Sequence, residues 1–334
     1  MAIVSMNRAG RRWMLGLLAL PIATLLAGLP HPAAAQQYPS KVIRLIVPYA
    51  TGGSTDIMAR LIGIEMSKSL GTPVIVDNRP GANGAIGANA VAKSAPDGYT
   101  LGVFPAVLAV TMPLLKPDLT YAQETVPVSL LQTNDQILVG RVDLPAATLP
   151  EIVEIARRTQ GKVSYGHTGV GTGNHLLAAT IMHVSKVELI LVPYRGEVPA
   201  LNDVMGGQLD LAVSSIAAVA ELIEARKVKP IAALGAQRAR RYPNLPTAAE
   251  GGYPEFNGNS FLGVHAPIGT PVEILDKVAA AVQAAVNLPL IRERIDAIGG
   301  NPVGSDRAGY AAFLERERAR AGKVIKDANV KYEE

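Results

Sequence analysis

Two stretches of this sequence place glycines and hydroxyl side chains where an apolar run gives way to a helical pattern. The first is Gly52-Gly53-Ser54-Thr55-Asp56, directly after the apolar residues 41–48. The second spans residues 166–174, where Gly169, Gly171 and Gly173 alternate with Thr168, Thr172 and Asn174. A glycine-rich strand-to-helix turn exposes backbone N–H groups at the positive end of a helix. Such an end favours a carboxylate or phosphate by ~0.3–2 kcal/mol. Gly52 and Gly53 let an anion approach the backbone closely, and Ser54 and Thr55 add hydroxyl donors. Asp56 is then the first-turn acid, a fixer of the loop or a ligand contact. One such loop is explained equally well as a tight turn. Two of them, one in each half, point to a single anion clamped where two domains meet, a preferred place for ligand pockets.

Further candidates stand at the ends of predicted strands: Phe104, Pro105, Asn134, Gln136, Tyr194, Arg195, Ser214 and Ser215. In an open α/β sheet that edge is where ligands bind, so these residues are candidates for shaping selectivity. Arg195 carries a guanidinium able to pair with a second carboxylate. Of the histidines, His167 is a candidate ligand contact that would make binding pH-dependent. His175 reads as a cap or domain contact, and His265 as structural. His175 and His183 are eight residues apart, which is no His-x-x-x-His metal spacing, and neither a metal nor a cofactor is expected. No Gly-x-Ser-x-Gly elbow, Gly-Lys-Ser/Thr phosphate loop or His-Glu-x-x-His helix occurs, so no catalytic residue is assigned. A hydrolase using Ser54 or His167 is the enzymatic alternative.

The elements that must hold these loops follow from the patterning. Residues 41–48 read as a strand and the helix after the first loop is stopped by Gly71. Residues 74–76 and 99–104 read as strands with a short Ala-rich helix, residues 85–93, between them. The second half repeats the grammar: helix 150–159, strand 163–165, the second loop, helix 175–183, strand 189–194, helix 200–205, strands 209–213 and 230–234. A Pro- and Gly-rich segment, residues 241–271, precedes two long helices over residues 272–286 and 305–327. Strands alternating with helices imply α/β layers around largely parallel sheets.

Arg8, Arg11 and Arg12 precede an almost uncharged apolar stretch, residues 13–29, that ends in Pro32-Ala33-Ala34-Ala35. That order reads as a signal peptide over residues 1–35, cut between Ala35 and Gln36, and hence as export to the periplasm. Three of the 32 basic residues lie in it, leaving 29 against 28 acidic ones. The mature chain is thus nearly neutral, and nucleic acid is not an expected partner. With no cysteine, thiol nucleophiles, disulfides and thiolate metal sites are excluded.

Taken together, the motifs resemble those of a known family. The segment Val47-Pro48-Tyr49-Ala50-Thr51-Gly52-Gly53-Ser54-Thr55-Asp56 is similar to the opening motif of the periplasmic binding proteins of tripartite tricarboxylate transporters, the Bug family. Asp77-Asn78-Arg79-Pro80-Gly81, Pro96-Asp97-Gly98-Tyr99, Val192-Pro193-Tyr194-Arg195-Gly196, Gly206-Gly207-Gln208-Leu209-Asp210 and Leu245-Pro246-Thr247 resemble its later signatures, in order. The resemblance implies a type II periplasmic-binding-protein fold, two α/β domains with crossing strands and an interdomain cleft that closes like a flytrap. It divides the chain into a discontinuous first domain, residues 36–136 and 250–334, and a second domain, residues 137–249. It also implies a monomer that hands a small organic carboxylate to the membrane subunits of a transporter; a ligand sensor of the same fold is the alternative role. The positions matching the carboxylate-gripping loops are Tyr49, Thr51, Gly52, Gly53, Ser54 and Asp56, with Thr168, Gly169, Gly171, Thr172 and Gly173. Two departures stand out. His167 replaces the usual serine, and the stretch Val213-Ser214-Ser215 lacks an acid often found there, which makes amino acids poorer candidate ligands.

Overall fold

In the computed structural model, residues 38–256 and 258–331 are described. The signal-peptide reading, the cut at Ala35/Gln36 included, lies outside them. The chain opens with strand β1 (Ile43–Val47), helix α1 (Ser54–Leu70), strand β2 (Val74–Asn78), helix α2 (Ala85–Ala92) and strand β3 (Thr100–Pro105). A π-helical turn over Val107–Thr111 runs into the short helix α3 (Met112–Leu115), and β4 (Thr125–Asn134) follows. Then come β5 (Gln136–Gly140), α4 (Leu149–Arg158), β6 (Ser164–His167), α5 (Gly173–Ser185), β7 (Ile190–Pro193), α6 (Glu197–Met205), β8 (Leu211–Ser215), α7 (Ile216–Glu224) and β9 (Lys229–Ala233). The chain ends with β10 (Ser260–Pro267), α8 (Val272–Val286), α9 (Pro289–Ala297), β11 (Gly300–Pro302) and α10 (Arg307–Asp327).

The strands form two sheets, ordered β11-β4-β10-β3-β1-β2 and β7-β6-β8-β5-β9. Each contains a parallel trio, β3-β1-β2 in one and β7-β6-β8 in the other. Beside each trio lies one antiparallel strand, β10 against β3 and β5 against β8. The sheets are therefore mixed, not largely parallel as the alternation of strands and helices suggests. The reason is that β5 follows directly from β4 of the other sheet, through Asp135 alone, and enters the second sheet running against its neighbours. The chain returns from β9 and lays β10 between β3 and β4. The result is two α/β domains joined by crossing strands.

The crossing is pinned. Asn301 Nδ2 donates to Asp135 Oδ1 at 2.8 Å, and Asp135 N donates to Gly299 O at 3.4 Å. Burial raises the Asp135 carboxyl above its ordinary pKa.

Burial on both faces explains why Ile137-Leu138-Val139 of β5 are all apolar. Leu138 joins Tyr165, Leu177, Leu211, Val213 and Phe256 on one side. Ile137 and Val139 join Ala212, Val219 and Leu201 on the other. Local signals set the helix ends. Gly71 takes a left-handed φ of 67° and closes α1. Thr148 and Glu151 form a reciprocal capping box at the start of α4. α6 begins at Glu197, three residues before the expected start, because Pro199 falls in the first turn, where a missing N–H costs no helical bond.

In the first sheet, Phe104 is buried and stacks on the His265 ring at 4.6 Å between centroids. It belongs to the core and does not shape a selectivity pocket. His265 Nε2 lies 2.9 Å from Tyr310 Oη, and burial holds the imidazole pKa down at about 3, in keeping with its structural reading. Gly263 faces that same tyrosine: a Cβ there would collide with the Tyr310 Oη and ring carbons. Gly263→Ala is expected to lower unfolding free energy by about 1–3 kcal/mol, the ordinary cost of overpacking a core. Urea titration measures it, and an unchanged midpoint would show that Tyr310 yields freely.

Candidate functional site

The first loop is built around a buried carboxylate. Asp56 Oδ2 accepts from Gly52 N at 2.9 Å and from Arg60 Nε at 3.0 Å. Its Oδ1 accepts from Asn78 Nδ2 at 2.9 Å, and Asn78 Nδ2 also donates to Tyr49 O at 3.1 Å. The Arg60 guanidinium, and then the Gly52 and Asn78 donors, hold the Asp56 pKa down at about 2 against its burial. Asp56 is thus the fixer of the loop. Gly53 is the N-cap of α1 and offers no side-chain acceptor to the first turn. Thr51, Gly52, Gly53 and Ser54 are exposed. Tyr49 is half-buried, and burial pushes its phenol up to about 12.

The second loop is braced by two imidazoles. Gly169 N donates to His167 Nδ1 at 3.3 Å, and Gly171 N donates to His175 Nδ1 at 3.3 Å. The rings lie 4.9 Å apart. Burial lowers the pKa of both, that of His175 to about 4 with His167 as a further cause. Each ring is therefore a neutral acceptor that fixes a glycine amide. Thr172 caps α5, with its hydroxyl accepting from His175 N at 3.4 Å and donating to Gly169 O at 2.8 Å. Asn174 is buried and donates to Val213 O at 2.9 Å, tying the loop to β8.

A cavity of about 210 Å³ opens at the carboxyl end of β6, where Thr168, Thr172, Gly173 and Asn174 line it. The first domain contributes Pro105 at the end of β3, Val107 and Val110 after it, and Glu317, Arg320 and Ala321 on α10. The crossing strands close its floor with Gln136, Asn259 and Ser260. Of the sequence candidates, the cavity brings together Thr168, Thr172, Gly173, Gln136 and Pro105. Tyr49, Thr51, Gly52, Gly53, Ser54 and Asp56 lie outside its lining, as do His167, Gly169 and Gly171.

The remaining candidates lie outside this lining. Tyr194 Oη donates to Asp203 Oδ2 at 2.7 Å, and Asn134 Oδ1 accepts from Gln132 Nε2. Arg195 is exposed. Ser214 and Ser215 line up on Glu197, which patterning alone did not single out. Glu197 Oε2 accepts from Ser214 Oγ at 2.7 Å, Ser215 Oγ at 2.9 Å and Ser215 N at 3.2 Å. So the stretch without an acid of its own receives one from the start of α6. An acid in a helix's first turn was the legible signal; its meeting with Ser214 was not.

The imidazole braces predict an acid sensitivity. An unfolded histidine titrates near ~6.5, whereas folded His175 does so at about 4. The neutral ring's contribution is complete above the first value and lost as pH falls through the second. In His175→Asn, which keeps an acceptor that does not titrate, the fall in melting temperature between those pH values is expected to be smaller than in the parent. Calorimetry across that range checks it, and parallel curves would overturn it.

Comparison with known proteins identifies the family. Residues 58–330 match the family described as tripartite tricarboxylate transporter family receptor. Protein BugT of Bordetella pertussis strain Tohama I is 34% identical over 322 residues, spanning 95% of this chain and 98% of that protein. The solved periplasmic binding protein BugD superposes with a TM-score of 0.73 at 30% identity, over 89% of this chain and 100% of that one. R. palustris Rpa4515 with adipate superposes with a TM-score of 0.77 at 31% identity, over 88% of this chain and 99% of that one. With its fold, its crossing strands and nearly its whole described length matched, the chain belongs to the tripartite tricarboxylate transporter family receptors, solute-binding proteins of the Bug type.

Proposed function

We propose that this receptor captures a small organic carboxylate in the cavity between its two domains and delivers it to the membrane subunits of a tripartite tricarboxylate-type transporter. The observation that carries the reading is the cavity itself. Elements of both domains line it, and its wall includes Thr172-Gly173-Asn174, the start of α5. Adipate in the similar Rpa4515 structure supports a carboxylate as the ligand class.

In this reading, the α5 end and the open end of α1 hold the anion, with hydroxyl donors from Ser54 and Thr168. Tyr49, Thr51, Gly52, Gly53 and the amides of Gly169, Gly171 and Gly173 complete the two grips, and Asp56 and His167 position them. Closure brings the first loop to the ligand by hinge motion at Asp135 and the return into β10. The ligand favours the closed form only through the contacts it adds there. A micromolar site corresponds to about −8 kcal/mol, against ~2 kcal/mol at most from one helix terminus. Desolvation in the cavity supplies much of the remainder. Residues 36–136 with 250–334, and residues 137–249, are the two moving bodies. The protein works as a monomer in the periplasm after cleavage near Ala35, without catalysis.

Thermal-shift screening of the purified protein against mono-, di- and tricarboxylates and amino acids tests this. At least one acid is expected to raise the melting temperature by several degrees at a concentration near 100 times its Kd, which is about 2.7 kcal/mol of linkage. Thr168→Val is expected to leave the free protein's melting unchanged and to weaken binding about tenfold, the loss of one hydrogen bond to a charged group. No stabilisation by any acid would overturn the reading, and steady hydrolysis of a carboxylic ester abolished by Ser54→Ala would replace it with an enzymatic one.

A further inference from the structure

The charges lining the cavity are unequal. Glu317 and Arg320 both face it, and they pair with each other at 2.7 Å. Glu197 is the third charged group in the lining. All three hydrogen bonds it accepts go to one oxygen, Oε2, from Ser214 and Ser215. Among the described residues its Oε1 has no partner, and Glu197 has no ion pair. The three donors hold the carboxylate in one orientation, so its second oxygen is a fixed acceptor at the cavity wall. Asn259 adds a second one: its Oδ1 is buried without a hydrogen-bond partner, and the residue lines the same space. Gln136, also in the lining, is buried at 8% exposure.

An acceptor-rich wall with a surplus negative charge opposes a second carboxylate, which can only accept and would repel Glu197. It favours a cationic donor, which forms a charge-assisted hydrogen bond there. We propose that Glu197 is a specificity-determining residue that selects carboxylates bearing an ammonium group over dicarboxylates. The inference rests on the carboxylate-binding reading above and names the class of ligand for that same cavity. The ligand's carboxylate lies at the α5 start and its ammonium at Glu197 Oε1. The acid absent from the stretch after Asp210 is thereby replaced from another element.

Calorimetric titration of the full protein and of Glu197→Gln with matched acids decides it. The probes are alanine, β-alanine and 4-aminobutyrate, compared with propionate, butyrate, succinate and glutarate. In the parent, at least one ammonium-bearing acid is expected to bind roughly 10- to 100-fold tighter than its counterpart without nitrogen, the range for a hydrogen bond between charged groups. Glu197→Gln keeps the shape and is expected to collapse that ratio to a few-fold while tightening the dicarboxylates. Ser215→Ala, which loosens the carboxylate but retains its charge, is expected to fall between the two. A loss of fold would weaken all ligands together, whereas selectivity is a ratio that a purely structural role leaves alone. A ratio unchanged in Glu197→Gln, or a parent that prefers succinate or glutarate to the ammonium acids, overturns the inference and leaves the carboxylate reading standing. Binding of no carboxylate at all overturns both.

Discussion

Everything in this fold depends on two strands lodged in the middle of sheets to which the strand before each of them in sequence does not belong. β5 lies between β8 and β9, and β10 between β3 and β4. A central strand is hydrogen-bonded on both edges and apolar on both faces, so neither can leave without unpairing two ladders. The chain thus passes between the two sheets twice, at Asp135 and between β9 and β10. The cavity floor is made of residues at these crossings, Gln136 and Ser260.

Patterning exposes the parallel halves of the fold well and the crossings poorly. Residues 43–105 read correctly because each strand is bounded by turn residues and each helix by a stop such as Gly71. β10 escapes notice because it lies inside a Pro- and Gly-rich segment and carries Gly263, whose missing side chain makes room for Tyr310. That glycine is a packing requirement between residues far apart in sequence, and no local window contains both. Phe104 shows the same limit: a strand-end aromatic looks available, but its ring is covered by His265 and Tyr121.

Both glycine loops were legible as strand-to-helix turns, yet their supports differ in a way residue types do not reveal. In the first, an ionised carboxylate holds a glycine amide and its charge is answered by Arg60. In the second, two neutral imidazoles do the same work at Gly169 and Gly171. A carboxylate behind the second loop would add another negative charge beside a cavity that already holds Glu197. A neutral acceptor rigidifies the turn without that repulsion. His167 takes part in this bracing, and its Nδ1 is occupied by Gly169 N.

The consequence is a cavity with electrical polarity. At one point of its wall stands the amide end of α5, whose dipole attracts negative charge. At another stands Glu197, steadied at the first turn of α6 by that helix's own positive end and by three donors. The Glu317–Arg320 pair, also in the lining, adds almost no net charge. A uniform anion gains at the first point and loses at the second. A ligand whose charge is divided gains at both, and only in one orientation, so the same few residues that attract it also fix which end enters first.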